Sequence, residues 1–212
     1  MVILLIKHEY IKIEGGINFM LIVAINGSPD KNGNTAFLLQ KVLESAKESG
    51  ADDCVTFNAM ELINELEVPF CTNCSNPCTG ECYKGSKLEK AFETMEKADA
   101  IVIGSPSYFG TVSGQIKTFF DKTRKLRSNR VLCNKIAGGV TVGGSKYGGQ
   151  ETTMRALHDM MMVHGMSVVG DGHMDDDCGH SGVSAQRPAS EDRFALKRAR
   201  IMGKRLVESR KS

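Results

Sequence analysis

Short apolar runs separated by longer amphipathic stretches set the rhythm of this chain. Residues 21–26, LIVAIN, form an apolar run that stops at Gly27-Ser28-Pro29, which predicts a buried strand ending in a loop. Residues 34–49 carry Leu38, Leu39, Val42, Leu43 and Ala46 at helical spacing, and Gly50 follows where a helix end favours glycine. The alternation continues. Strands are predicted over 54–57, 100–104, 136–142 and 166–169, and helices over 86–97, 113–125 and 151–163. Ser86 is placed to cap the first of these helices, and Ile116, Phe119 and Phe120 share one side of the second. A last helix is predicted from Ser190, with Ala195, Ala199, Met202 and Leu206 facing inward. Apolar strands without polar alternation imply an α/β protein with a doubly wound parallel sheet, covered on both faces. Two stretches break the rhythm: residues 66–85, rich in Cys, Asn, Pro and Gly, and a Gly/Asp-rich loop over 171–189.

Length and composition narrow the field. At 212 residues and 41% apolar content, one domain over 20–212 can bury a sizeable core. The formal charge of +2 predicts no bulk attraction to nucleic acid or to an anionic membrane. No run reaches the ~18–20 apolar residues of a membrane span. Residues 1–19 stand apart as an N-terminal extension, with two readings. One makes Met20 the natural start, because Glu14-Gly15-Gly16 can be encoded by a purine-rich stretch resembling a ribosome-binding site. The other makes them a short strand or arm.

Sheets of this type bind ligands beyond their carboxyl strand ends, so the loops after the first, third and fourth strands matter most. The first loop runs Gly27-Ser28-Pro29-Asp30-Lys31-Asn32-Gly33-Asn34-Thr35 into a helix. A helix start offers free amides and partial positive charge to a phosphate. Gly33 lets backbone approach, and Ser28, Asn32, Asn34 and Thr35 supply short polar side chains. The same residues also suit an ordinary capped helix start. The loop matches neither the dinucleotide fingerprint nor the P-loop. The loop after the third strand reads Pro106-Ser107-Tyr108-Phe109-Gly110, and the one after the fourth reads Gly143-Gly144-Ser145-Lys146-Tyr147-Gly148-Gly149. Glycines there allow backbone N–H groups close to a flat ring, and Tyr108 and Phe109 can lie beside it.

Taken in order, these loops make the chain, over roughly residues 20–170, resemble the NADPH-dependent FMN reductase and quinone reductase branch of the flavodoxin-like proteins. The resemblance implies a five-stranded sheet of order 2-1-3-4-5. It implies FMN phosphate on Ser28 and on Gly33, Asn34 and Thr35, and the isoalloxazine ring against 106–110 and 143–149. His164 is a further candidate for reaching the flavin or a neighbouring subunit.

Seven cysteines, four of them within residues 71–82, fit reduced thiols and a cytoplasmic protein better than a secreted disulfide framework. Cys71, Cys74, Cys78 and Cys82 are spaced C-x2-C-x3-C-x3-C. Closely spaced thiolates suit an iron–sulfur cluster; a zinc site and unligated redox thiols are the alternatives. Cys54, Cys133 and Cys178 read as incidental thiols. A four-cysteine loop between the second and third strands is similar to the iron–sulfur flavoproteins of anaerobic archaea and bacteria. Their spacing is usually C-x2-C-x2-C with a longer last gap, whereas here Pro77 lengthens the second gap and the last is short. That resemblance implies a 4Fe-4S cluster beside FMN and assembly as a homodimer or homotetramer. It also implies a reduced donor such as ferredoxin or NAD(P)H, with quinones, oxygen or peroxide as acceptors.

The expected activity is electron transfer by cofactors, with no catalytic protein nucleophile or acid–base pair. Two other readings stand beside it: an NAD(P)H-dependent FMN or quinone reductase with zinc or no metal on its cysteines, and a non-enzymatic flavin-binding redox sensor. The basic run Lys122, Arg124, Lys125, Arg127 and Arg130 reads as a solvated helix end or a docking patch for an acidic carrier or a nucleotide phosphate. The loop 171–178, with Asp175, Asp176 and Asp177, reads as solvated.

Overall fold

A computed structural model describes residues 19–210, so the expectation for the N-terminal extension falls, apart from Phe19, outside the described residues. The strands are β1 (Leu21–Asn26), β2 (Asp53–Asn58), β3 (Ala100–Pro106), β4 (Ile136–Gly143), β5 (Ser167–Val168) and β6 (Val183–Gln186). The helices are α1 (Asn34–Glu48), α2 (Ala59–Asn64), α3 (Lys87–Lys97), α4 (Gly114–Lys122), α5 (Arg124–Ser128), α6 (Gln150–Met162) and α7 (Arg193–Glu208). All strand pairings are parallel and the order is β2-β1-β3-β4-β5, the order expected for a flavodoxin-like sheet.

Because successive side chains of a strand point to opposite faces, each buried strand feeds two cores at once. Leu21, Val23, Ile25, Ile101 and Ile103 pack with Leu88, Phe92 and Met95 of α3 and Ile116, Phe119 and Phe120 of α4. Met20, Ile22, Ala24, Ala100 and Val102 pack on the other face with Leu38, Leu39 and Val42 of α1 and Ala199, Met202 and Leu206 of α7. α1 and α7 approach closely, and Ser45 Oγ donates to Arg200 O at 2.7 Å.

The fifth position of the sheet departs from the single strand expected over 166–169. β5 pairs with Ile136 and Ala137 at the lower end of β4, whereas β6 pairs with Val140–Gly143 at its upper end. The strand position is shared by two segments, and residues 169–182 make an excursion between them. The acidic tip of that excursion is solvated as read, with Asp175, Asp176 and Asp177 all exposed, but its base is fastened to the fold. Asp171 is buried and accepts from Arg198 Nε at 2.7 Å, Asp177 accepts from Arg198 Nη1 at 2.8 Å, and Asp175 accepts from Lys204 Nζ at 2.8 Å. His173 contacts Glu208. α7 thus fastens the excursion through three of its own side chains, Arg198, Lys204 and Glu208.

Other boundaries shift for local reasons. The helix expected over 113–125 breaks at Thr123, whose hydroxyl turns back to Phe120 O at 2.6 Å, giving α4 and α5. α7 starts after Asp192, which accepts from Ala195 N at 2.9 Å, and not at Ser190. α2 is an addition, capped by the Asn58 side chain on Glu61 N.

Replacing Arg198 by Met leaves Asp171 buried without its cation. Breaking such a pair costs about 3–5 kcal/mol. Urea unfolding of Arg198→Met is expected to show a loss of that order, and a change within error would remove the latch from the stability account.

Candidate functional site

β1 and β3 lie side by side and their crossovers leave in opposite directions, so the loops after them diverge at the carboxyl edge and open a crevice. The seam is tied by Gly27 N donating to Gly104 O at 2.7 Å and by Ser113 Oγ donating to Gly27 O at 2.5 Å. Asn26 and Asn58, aligned in register at the ends of β1 and β2, organise the first loop. Asn26 Oδ1 accepts from Ser28 N at 3.0 Å, and Asn58 Nδ2 donates to Ser28 O at 3.0 Å. Ser28 Oγ accepts from Asp30 N at 3.1 Å, and Asp30 Oδ1 from Asn32 N at 3.0 Å. Sequence reasoning missed both asparagines; polar residues at strand ends were their only signal.

This folded loop delivers Gly33 as the N-cap of α1, with no side-chain cap and no acidic residue in the first turn. α2, α3, α4 and α7 are instead capped by Asn58, Ser86, Ser113 and Asp192. The first-turn amides of α1 therefore remain to an anion, and the fit to a phosphate is good. Ser28 and Thr35 are buried and Asn32 is exposed. Asn34 Oδ1 accepts from Ala189 N at 2.8 Å, so this side chain fastens α1 to the segment after β6.

The second and third loops are stitched together. Pro106 and Gly143 end β3 and β4. Ser107 Oγ donates to Gly148 O at 2.7 Å and accepts from Thr153 Oγ1 at 3.0 Å. Thr152 Oγ1 donates to Gly110 O at 2.6 Å, and Gln150 Nε2 donates to Ser145 O at 2.7 Å. Thr152, Thr153 and Gln150 lie one turn past the glycines and were not singled out in the sequence. Tyr108 and Thr111 exchange backbone bonds of 2.9 and 3.1 Å around Phe109 and Gly110, at φ 52° and 76°. This tight turn holds the Phe109 ring entirely in solvent, with Tyr108 partly and Tyr147 almost fully exposed beside it. Gly149, at φ 82°, caps α6; a methyl group there would come within 2.7 Å of Gly110 Cα. Gly144 and Ser145 are exposed, and Gly148 is half-buried.

The cysteine loop lies against α4 and α5, in contact with Lys122 and Arg124. Cys71 and Cys78 are half-buried, Cys74 and Cys82 exposed, and all four are free thiols. Among the described residues no three Cys, His, Asp or Glu side chains are gathered closely enough to hold a metal ion. The donor set itself suits a thiolate-ligated centre, and the surroundings are cationic. Lys122 Nζ lies 3.7 Å from Cys82 Sγ, and Arg124 Nη1 lies 3.9 Å from Cys71 Sγ. The Tyr83 hydroxyl is buried with no partner; burial, then Cys78 and Cys82, pushes its ionisation up. The basic run is thus not one solvated helix end: Lys122 is buried, Arg124 and Lys125 are half-buried, and Arg127 and Arg130 are exposed.

His164 is not with the flavin loops. It follows α6, a helix about 20 Å long whose other end carries Gly149. The Thr123 hydroxyl already donates to Phe120 O, so His164 Nε2–H donates to Thr123 Oγ1 at 2.8 Å, and buried Nδ1 has no partner. Burial, then Arg127, holds this imidazole below its ordinary value, and burial does the same to His158. A lowered histidine adds stability that is present above the unfolded value of about 6.5 and is lost as pH falls toward the folded value. Urea-measured stability is expected to fall on acidification below about 6.5, and less steeply in His164→Asn; equal slopes would contradict this assignment.

A family profile described as NADPH-dependent FMN reductase matches residues 20–179. An iron–sulfur flavoprotein of Methanocaldococcus jannaschii is 37% identical over 194 residues, 89% of this chain and 96% of that protein. One from Methanosarcina thermophila is 35% identical over 192 residues, 89% of this chain and 94% of that protein. Among solved structures, a flavodoxin-like WrbA-like protein of Agrobacterium tumefaciens superposes with a TM-score of 0.64 at 21% identity, over 91% of this chain and 98% of that one. Together with a sheet of order 2-1-3-4-5, these likenesses make the chain a member of the NADPH-dependent FMN reductase family and, within it, a relative of the iron–sulfur flavoproteins.

Proposed function

We propose that this flavin-dependent oxidoreductase holds FMN at the carboxyl edge of its sheet and relays electrons through it, with a 4Fe-4S cluster on Cys71, Cys74, Cys78 and Cys82. The observation that carries the flavin half is the uncapped, acid-free start of α1 facing two loops already fastened to each other. The α1 amides with Ser28 and Thr35 bind the phosphate. Backbone groups of 107–110 and 144–149 orient the ring, and the exposed rings of Phe109 and Tyr147 form its rim. Bound FMN supplies the exchange between one- and two-electron chemistry; the protein supplies position and electrostatics. The donor is a reduced carrier, ferredoxin or NAD(P)H, and the chain assembles as a homodimer or homotetramer.

The cluster half is supported by the four-thiol donor set, its cationic surroundings and the names of the relatives. A second reading stands beside it, an NAD(P)H-dependent FMN or quinone reductase whose cysteines bind zinc or no metal; among the described residues no three ligands are gathered for a metal ion.

Anaerobic purification with iron, sulfide, zinc and flavin analysis separates the two. Iron and sulfide in cluster stoichiometry with FMN is the expected result, and Cys74→Ser is expected to lose iron while keeping flavin. Yellow, iron-free protein that turns over NADPH would select the second reading. At the flavin, Gly149→Ala puts a side chain in the left-handed region at roughly 1–2 kcal/mol. FMN binding, read by fluorescence quenching, is expected to weaken about tenfold, the equivalent of 1.4 kcal/mol.

A further inference from the structure

Lys122, the last residue of α4, is 3% exposed. Its ammonium donates to Val68 O at 2.8 Å and lies 3.7 Å from Cys82 Sγ. Among the described residues no carboxylate pairs with it. Among the described residues the other buried Lys or Arg, Arg198, has both Asp171 and Asp177. Buried charges are ordinarily paired, because removing an ion from water without a counter-ion is heavily unfavourable. A carbonyl oxygen and a single sulfur are weak compensation for an ammonium group. A thiolate-ligated centre that includes Cys82 would complete the pairing. Arg124 stands at the other end of the same loop, beside Cys71. The orphaned Tyr83 hydroxyl, buried beneath Gly80, adds an unused donor under the loop.

We infer that Lys122 is the buried counter-charge of the cysteine loop, a positioning residue that holds Cys82 and raises the reduction potential of the metal centre ligated there. This inference rests on the cluster reading above. A 4Fe-4S centre on four thiolates carries net negative charge in both oxidation states and gains one more negative charge on reduction. A fixed cation in contact with a ligand sulfur therefore favours the reduced form, since net charge and hydrogen bonds to sulfur are what set such potentials. Lys122 sits at the end of a helix packed in the core, so its position is set by the fold and not by the loop.

The test compares anaerobically reconstituted wild type, Lys122→Met and Lys122→Arg by EPR-monitored redox titration, with iron and FMN content and far-UV circular dichroism measured alongside. In Lys122→Met the equilibrium constant for cluster reduction is expected to fall about tenfold, a negative shift of about 59 mV for a one-electron couple. FMN content and circular dichroism stay unchanged, and Lys122→Arg restores most of the potential. An unchanged potential in Lys122→Met overturns the inference. If Lys122→Met keeps FMN but no longer retains iron, retention by Lys122→Arg supports a charge role; loss in both variants means packing alone and overturns it. Wild type that never takes up iron fails the cluster reading itself, a result distinct from an altered potential.

Discussion

A parallel strand cannot be followed directly by its neighbour; the chain has to cross over a face of the sheet and return, and this constraint governs everything else here. Both faces end up covered, so the strands carry side chains for two cores and have no polar face to spare. Polar chemistry is pushed to the carboxyl edge, where the crossovers begin. At the β1–β3 seam the crossovers part, and the space between them is floored by backbone. The contact between Gly27 N and Gly104 O and the reach of Ser113 to Gly27 O hold that floor closed beneath the loops.

Much of this was written plainly in the chain. Runs such as LIVAIN can only be interior strands, and the loops that follow them contain the glycines and short polar residues that later meet in space. What stayed hidden depended on distance in sequence. β6 has apolar residues only at Val183 and Ala185, set in a stretch of turn-forming composition, and it becomes a strand because β4 offers it an upper edge. The acidic excursion is solvent-facing at Asp175–Asp177 as read, but its anchoring was hidden because its partners, Arg198, Lys204 and Glu208, lie a helix away. Lys122 read as one of five surface bases; only the placement of residues 68 and 82 over α4 removes it from water.

Two kinds of electrostatic design coexist in the fold. The α7 latch is self-contained, with each cation answered by a carboxylate of the same chain. The carboxyl edge and the cysteine loop are not: the start of α1 has no capping side chain and, among the described residues, the buried Lys122 ammonium has no carboxylate. Positive charge left without a carboxylate in these two places is what the proposed anionic cofactors would meet.

The divided fifth strand has a bearing on how the molecule is made. One whole face of the sheet is roofed by α1 together with α7, and α7 reaches its seat only after β5, the excursion and β6. While residues 183–208 are still inside a ribosome, Ile22, Ala24 and Val102 have half a roof. That layer closes last, through contacts of great sequence separation such as Ser45 with Arg200.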